Sequence, residues 1–287
     1  MLKLNRITPA VFIFALLLSL CSCTDDLLEI DEYESQIVID GWIEQGRTPI
    51  VTVTKSMSYF TDLNQNEFRD LLISDAKVTV SDGSMVEILT LKSHSNLFPS
   101  YVYEGNKLRG EVGKTYSLKV EYGGKIATSK TSIPKPIKLD SVWFQLAEDK
   151  KDLGLIWIKF TDNSNTKDYY KAITQEYKTG SNIISNLFSI FDDKYFSGQT
   201  IETPLYNHNT NIIRANNDMY FHKGDSVHLK FTTIDEVSYT FWYSYTKEIL
   251  NGQNPFAATN SKVQSNIKNG LGIWCGYGIN EYVVYNK

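Results

Sequence analysis

The sequence predicts a mainly β protein: an N-terminal immunoglobulin-like sandwich followed by a second β-rich domain with one or two short helices. Three observations carry this expectation. Apolar and polar residues alternate over runs of a few residues, the period of a half-buried strand. Turn signals such as Asp82-Gly83, Gly123-Gly124 and Lys223-Gly224-Asp225 separate those runs at close intervals. Tyr, Thr, Val and Ile are plentiful and suit strands, whereas long helical stretches are scarce.

The first 22 residues do not belong to either domain. Lys3 and Arg6 precede an apolar run from Val11 to Leu20 that only Ser19 interrupts. The run is shorter than the roughly 20 residues a membrane span needs, and its layout is that of a secretory signal peptide. It ends in Leu20-Cys21-Ser22-Cys23. Small residues ahead of a cysteine are what a lipoprotein signal peptidase reads, and bulky Leu20 disfavours Cys21. Cys23 is therefore expected to become a lipidated N-terminus, with 23–35 as an acidic tether. Two or three acyl chains hold a protein stably on a membrane where one does not. The tether carries Asp25, Asp26, Glu29, Asp31, Glu32 and Glu34, and like charges keep such a segment extended.

Composition narrows the rest. The whole chain has 29 Lys+Arg against 33 Asp+Glu. Without the signal the balance is 27 against 33, or −6. No basic cluster interleaved with aromatics occurs, so nucleic acid is not an expected partner. With Cys21 removed and Cys23 acylated, Cys275 stands alone and no internal disulfide can form. Stability must come from the apolar core.

Within the first domain, 36–132, the stretch Gln36 to Ile43 puts Ile37, Ile39 and Ile43 on one face and Val38, Asp40 and Trp42 on the other. Val51 and Val53 alternate with Thr52 and Thr54. Asp62 to Leu72 breaks the pattern, and Phe68, Leu71 and Leu72 suggest one helical turn. Ala76, Val78 and Val80 line a strand; Asp82-Gly83 favours a tight hairpin, with Met85 to Leu91 returning. Tyr101 to Tyr103 follows, then Tyr116, Leu118, Val120 and Tyr122 alternate before Lys125 to Ser129. Roughly seven such strands match an immunoglobulin-like sandwich. Ile133-Pro134-Lys135-Pro136-Ile137 is read as an extended linker, 133–138, because two prolines resist strand pairing.

The second domain, 139–287, opens with Val142, Phe144 and Leu146 on one face. Leu153 to Phe160 is apolar on both faces apart from Lys159, as a central strand would be. Tyr169 to Tyr177 is another strand, and Val227, Leu229 and Phe231 mark a third. Ile183, Leu187 and Phe191 have helical spacing in a segment crowded with turn residues. Asp235 to Leu250 fits both periods, but some fifteen residues without Gly or Pro favour a helix, with Asp235 as cap and Asn251-Gly252 as stop. Gly270, Gly272, Gly276 and Gly278 punctuate the tail before a closing strand, Tyr282 to Tyr285.

Catalytic motifs are not found. His94, His208, His222 and His228 have no metal-ligand spacing, and each reads as a surface or strand residue. Neither a nucleophile elbow nor a phosphate-cradling loop occurs. Asp162, Ser164, Thr166 and Asp168 have the odd spacing of an oxygen-ligand loop. Lys167 and Ile173, however, fill the glycine and glutamate positions of an EF-hand, so no metal or other cofactor is expected. Aromatic residues are the better candidates for ligand or partner contact. Trp242, Tyr243, Trp274 and Tyr277 lie in or near the segments richest in glycine and aromatics. Plain core positions remain the competing reading for tryptophans, Trp42, Trp143, Trp157 and Trp242 above all.

Several motifs in order resemble a family of Bacteroidetes lipoproteins, domain of unknown function 4249. They are Val38-Ile39-Asp40-Gly41-Trp42-Ile43, Ala76-Lys77-Val78-Thr79-Val80, Gly113-Lys114-Thr115-Tyr116, Ile133-Pro134 and Asp140-Ser141-Val142. Asp193 to Gly198, Gly224-Asp225-Ser226-Val227, Asn254-Pro255-Phe256 and the Gly270 to Gly278 tail complete the set. The acidic residues after Cys23, with Thr24, Asp25 and Asp26 first, also resemble the surface-export signal of such lipoproteins. The resemblance implies an outer-membrane surface protein paired with a TonB-dependent transporter, a non-enzymatic accessory or ligand-capturing partner in nutrient uptake. The ligand would be a peptide, glycan or metal chelate. No catalytic residues come with it. A surface adhesin or structural envelope protein is the alternative, and a carboxylate-dependent hydrolase is a third.

Overall fold

The computed structural model describes residues 34–57, 70–95, 97, 99–176, 189–207, 219–252 and 262–287. The expected signal peptide, Cys23, Thr24, Asp25 and Asp26 lie outside them, as do most of the 62–72 segment and the reading made around Ile183. The strands are β1 (Ile37–Glu44), β2 (Ile50–Lys55), β3 (Lys77–Ser81), β4 (Val86–Ile88), β5 (Thr90–Ser93), β6 (Tyr101–Glu104), β7 (Thr115–Tyr122) and β8 (Lys125–Ser132). They continue with β9 (Ser141–Leu146), β10 (Leu153–Thr161), β11 (Tyr169–Glu176), β12 (Ile190–Asp192), β13 (Thr200–Leu205), β14 (Phe221–His222), β15 (Ser226–Ile234) and β16 (Leu271–Tyr285). A helix, α1 (Glu236–Gly252), separates the last two strands. The chain is thus mainly β, as its alternation predicts.

An eight-stranded sheet, ordered β12-β11-β15-β16-β1-β2-β6-β5, is the spine. Two four-stranded sheets pack side by side on one of its faces. Sheet β4-β3-β7-β8 closes a first core around Ile39, Ile43, Val53, Val80, Leu118 and Trp274. The sheet of β9, β10, β13 and β14 closes a second around Ile156, Phe160, Tyr170, Leu229 and Phe231. The first pair of sheets is consistent with an immunoglobulin-like sandwich. At its corner the Tyr116 hydroxyl accepts from Glu111 N at 2.7 Å and donates to Arg109 O at 3.2 Å, tying the start of a strand to upstream backbone.

Three features depart from the sequence reading. The expected return strand Met85 to Leu91 divides at Leu89: β4 stays in the small sheet and β5 joins the spine. Leu89 is 4 % exposed and its side chain fills the first core, so the chain turns from one layer to the other there. The glycine-rich tail and the closing strand are one continuous strand, β16, whose 271–277 stretch runs parallel to β1. Finally, the 133–138 segment is strapped down along β16. Ile133 lies in the first core and Ile137 packs on the second, while Asn280 Nδ2 donates to Ile137 O at 3.0 Å. Ser35–Lys287 accordingly forms one compact unit, with these two cores and a third under α1 around Tyr169, Phe241, Ile273 and Cys275.

Glycines make the close approach possible. A Cβ at Gly276 would stand 2.3 Å from Ser132 O, and one at Gly278 would stand 2.1 Å from Pro134 O. The helix begins where expected. Asp235 Oδ1 accepts from Ser238 N at 2.9 Å, a standard N-cap bond, and its other oxygen accepts from Thr131 Oγ1 and Ser132 N.

Candidate functional site

The face of the spine opposite the two small sheets carries α1 over one part and a cavity of about 390 Å³ beside it. Period-2 alternation decides which residues reach it. In β1, Ile37, Ile39 and Ile43 enter the first core, which turns Asp40, Trp42 and Glu44 to the cavity. In β16 the fully buried Trp274 faces the core while Ile273 and Tyr277 face the cavity. β15 supplies His228 and Lys230, and β11 supplies Lys171, Ile173 and Gln175. Trp242 of α1 forms a wall, and His94 and Leu97 reach in from the β5–β6 connection. Aromatic and aliphatic surface with a few placed charges is the usual make-up of a small-molecule site.

The charges fall into two groups. At one end Glu44 is clamped: Lys230 Nζ lies 2.7 and 3.0 Å from its oxygens, and Arg47 donates to it at 2.7 Å. Arg47 also donates to Glu281 at 2.7 Å. These groups neutralise one another. The second group is Lys171 and Asp40, and neither has a charged partner within 4.0 Å among the described residues. Lys171 is 3 % exposed, and its ammonium sits 4.1 Å from the centre of the Trp242 ring. Burial pulls its pKa down to about 8, against the opposing effect of Cys275 and Asp40. Asp40 is exposed where it lines the cavity, although the protein surrounds it on several sides. That enclosure pushes its carboxyl upward, and the Lys171 charge partly offsets the push. Solvent screening moderates the effect at exposed Asp40 more than at buried Lys171.

The four aromatic candidates separate. Trp242 and Tyr277 line the cavity together. Tyr277 is 6 % exposed, and burial raises its hydroxyl far above the ordinary range. Trp274 does not belong to the site: it is fully buried in the first core and its Nε1 donates to Tyr116 O at 3.0 Å. Gly41 leaves the room for it, since a Cβ there would come within 3.0 Å of the Trp274 ring. Tyr243 points away on the exposed side of α1, stacked on Tyr239 with Lys247 over its ring. Trp42, which the sequence offers as core, is half-buried and lines the cavity, as do His94 and His228. Asp40 and Trp42 were visible in the sequence as the polar-side residues of β1. Lys171 was hidden, because one lysine in a strand reads as solvent-facing.

The acidic loop also takes a different form from its sequence spacing. Asp162 and Asp168 meet Asp193, one oxygen of each lying within 4.8 Å of the others. Tyr170 Oη donates to Asp162, Thr166 Oγ1 to Asp168 at 2.6 Å, and Asp168 N to Asp193 at 2.8 Å. Burial and then the neighbouring carboxylates push the Asp168 carboxyl upward. Three carboxylates so placed can hold a hard cation, and the hydrogen bonds alone also account for their convergence.

Fold and cavity together define a β-built protein with a ligand-sized, charge-bearing pocket on an open sheet face. The sequence matches the family model described as a domain of unknown function, DUF4249, over residues 24–282, and the chain belongs to that family. No curated protein matches it.

Proposed function

We propose that the chain is an outer-membrane surface lipoprotein that captures a small ligand for a TonB-dependent transporter. Lipid on Cys23 would hold it at the membrane, and Thr24, Asp25 and Asp26 would direct it to the cell surface. The observation that carries the ligand-capturing part is the cavity: two tryptophans and Tyr277 line a space that Lys171 and Asp40 face with no charged partner among the described residues. The clamped Glu44 with Lys230 and Arg47 is a rigid end wall, which suits binding better than proton transfer. Purification of the native protein from its host membrane tests the reading. A large outer-membrane barrel is expected to accompany it, and mass spectrometry is expected to find Cys23 acylated. A bare Cys23 and a lone protein would rule it out.

The alternative, a surface adhesin, has one feature on its side. Edge strand β4 exposes Val86 and Ile88 at 70 % and 57 %, and an apolar edge can template pairing with another chain. Concentration-dependent polymerisation of the purified protein would favour it.

A further inference from the structure

The two uncompensated charges say what the cavity is built to take. A buried ammonium without a counter-ion is costly, and a chain that keeps one in a cavity wall holds a site for negative charge. Lys171 is such a group. It is 3 % exposed, and the Trp242 ring at 4.1 Å is the contact its ammonium makes among the described residues. A carboxylate near an ammonium would normally close onto it, but Asp40, on the far side of β15 and β16, stays beyond ion-pair distance. Each still feels the other's charge. Fixed plus and minus charges stand apart in one cavity, with Trp42, Trp242 and Ile273 also in its lining. A simple anion would satisfy Lys171 and be repelled by Asp40, and a cation the reverse. A molecule carrying both charges satisfies both.

We propose that the cavity binds a zwitterion with an apolar body, an amino acid or short peptide. Its carboxylate meets the Lys171 ammonium, its ammonium meets Asp40, and its side chain packs on Trp42 and Trp242. This rests on the ligand-capture reading above and supplies the ligand class. The Glu44 end, already neutralised by Lys230 and Arg47, takes no part in reading charge.

The test uses the full mature protein in detergent and the dipeptide Leu-Phe, with its N-acetylated and C-amidated forms, by calorimetry and thermal shift. Leu-Phe is expected to bind and raise the melting temperature, and blocking either end is expected to weaken binding at least tenfold. Lys171→Met should abolish binding without lowering the melting temperature of the free protein. Asp40→Asn should weaken Leu-Phe but leave the N-acetyl form unchanged. Unaltered Leu-Phe binding by Lys171→Met overturns the proposal, as does equal binding of the blocked and free forms. Failure of phenylalanine and Leu-Phe to bind protein that still co-purifies with a barrel also sinks it, leaving the wider reading in place. Zwitterion binding by a protein that never accompanies a barrel would do the opposite.

Discussion

Lys171 is the residue at which stability and binding pull apart. Its pKa falls from 10.5 to about 8 on folding, and at about 1.4 kcal/mol per unit this costs the free protein as much as roughly 3 kcal/mol. Below about pH 8 folded and unfolded chains both hold the proton and the full cost applies; between about 8 and 10.5 the folded chain releases it first, so stability climbs with pH. Lys171→Met is therefore expected to be more stable than the parent at pH 7, by urea unfolding, and to lack that climb. A less stable variant with an unchanged pH profile would show the lysine to be well satisfied. Cys275 illustrates the reverse case, a group that burial silences. It is 1 % exposed and its thiol is pushed up to about 12, so thiolate is scarce at neutral pH. Iodoacetamide should leave Cys275 unmodified in the native protein and label it on denaturation, by intact mass.

Elements were legible in proportion to how local their cause is. Alternation in β1, β7 and β15 reads directly off Ile37-Ile39, Tyr116-Leu118-Val120 and Val227-Leu229-Phe231, and β10, read as central because it is apolar on both faces, does lie between β9 and β13. The helix was legible from length and from Asp235 at its start. The split at Leu89 was not, since a strand that changes sheets keeps its alternation on both sides of the bend. Nor was the purpose of the tail glycines, which depends on Ser132 and Pro134, more than a hundred residues earlier in the chain. Their role makes a sharp prediction. Gly276→Ala places a methyl against the backbone of Ser132, which cannot rotate away, and should cost about 1–3 kcal/mol. Thermal unfolding measures it. The tyrosine-rich surface of α1 provides the control, because Tyr243→Ala there should change stability by less than about 1 kcal/mol beyond its lost stacking.

At the scale of the whole molecule the first strand and the last lie side by side. β1 and β16 pair in parallel from Val38↔Leu271 to Glu44↔Tyr277. No pattern in either segment announces that partnership. The cavity was hidden for the same reason, since β1, β11, β15, β16 and α1 each contribute only one to four of its residues. The pairing also means that the first core is incomplete without the C-terminal strand, because Trp274 fills its centre. A fragment of residues 36–132 should thus fail to fold, having lost a buried tryptophan of the kind worth about 3–5 kcal/mol together with the partner of an inner strand. Its circular dichroism and proton spectrum would show this; a dispersed, cooperative fragment would mean that the sandwich stands without Trp274.

The central position of β1 has a mechanical consequence. Tension arriving through the residues ahead of Ser35 runs along the axis of a strand bonded to β2 on one edge and β16 on the other. To yield, both rows of hydrogen bonds must shear at once instead of peeling open one by one. A pull on the leading end would therefore load both neighbours of that strand together.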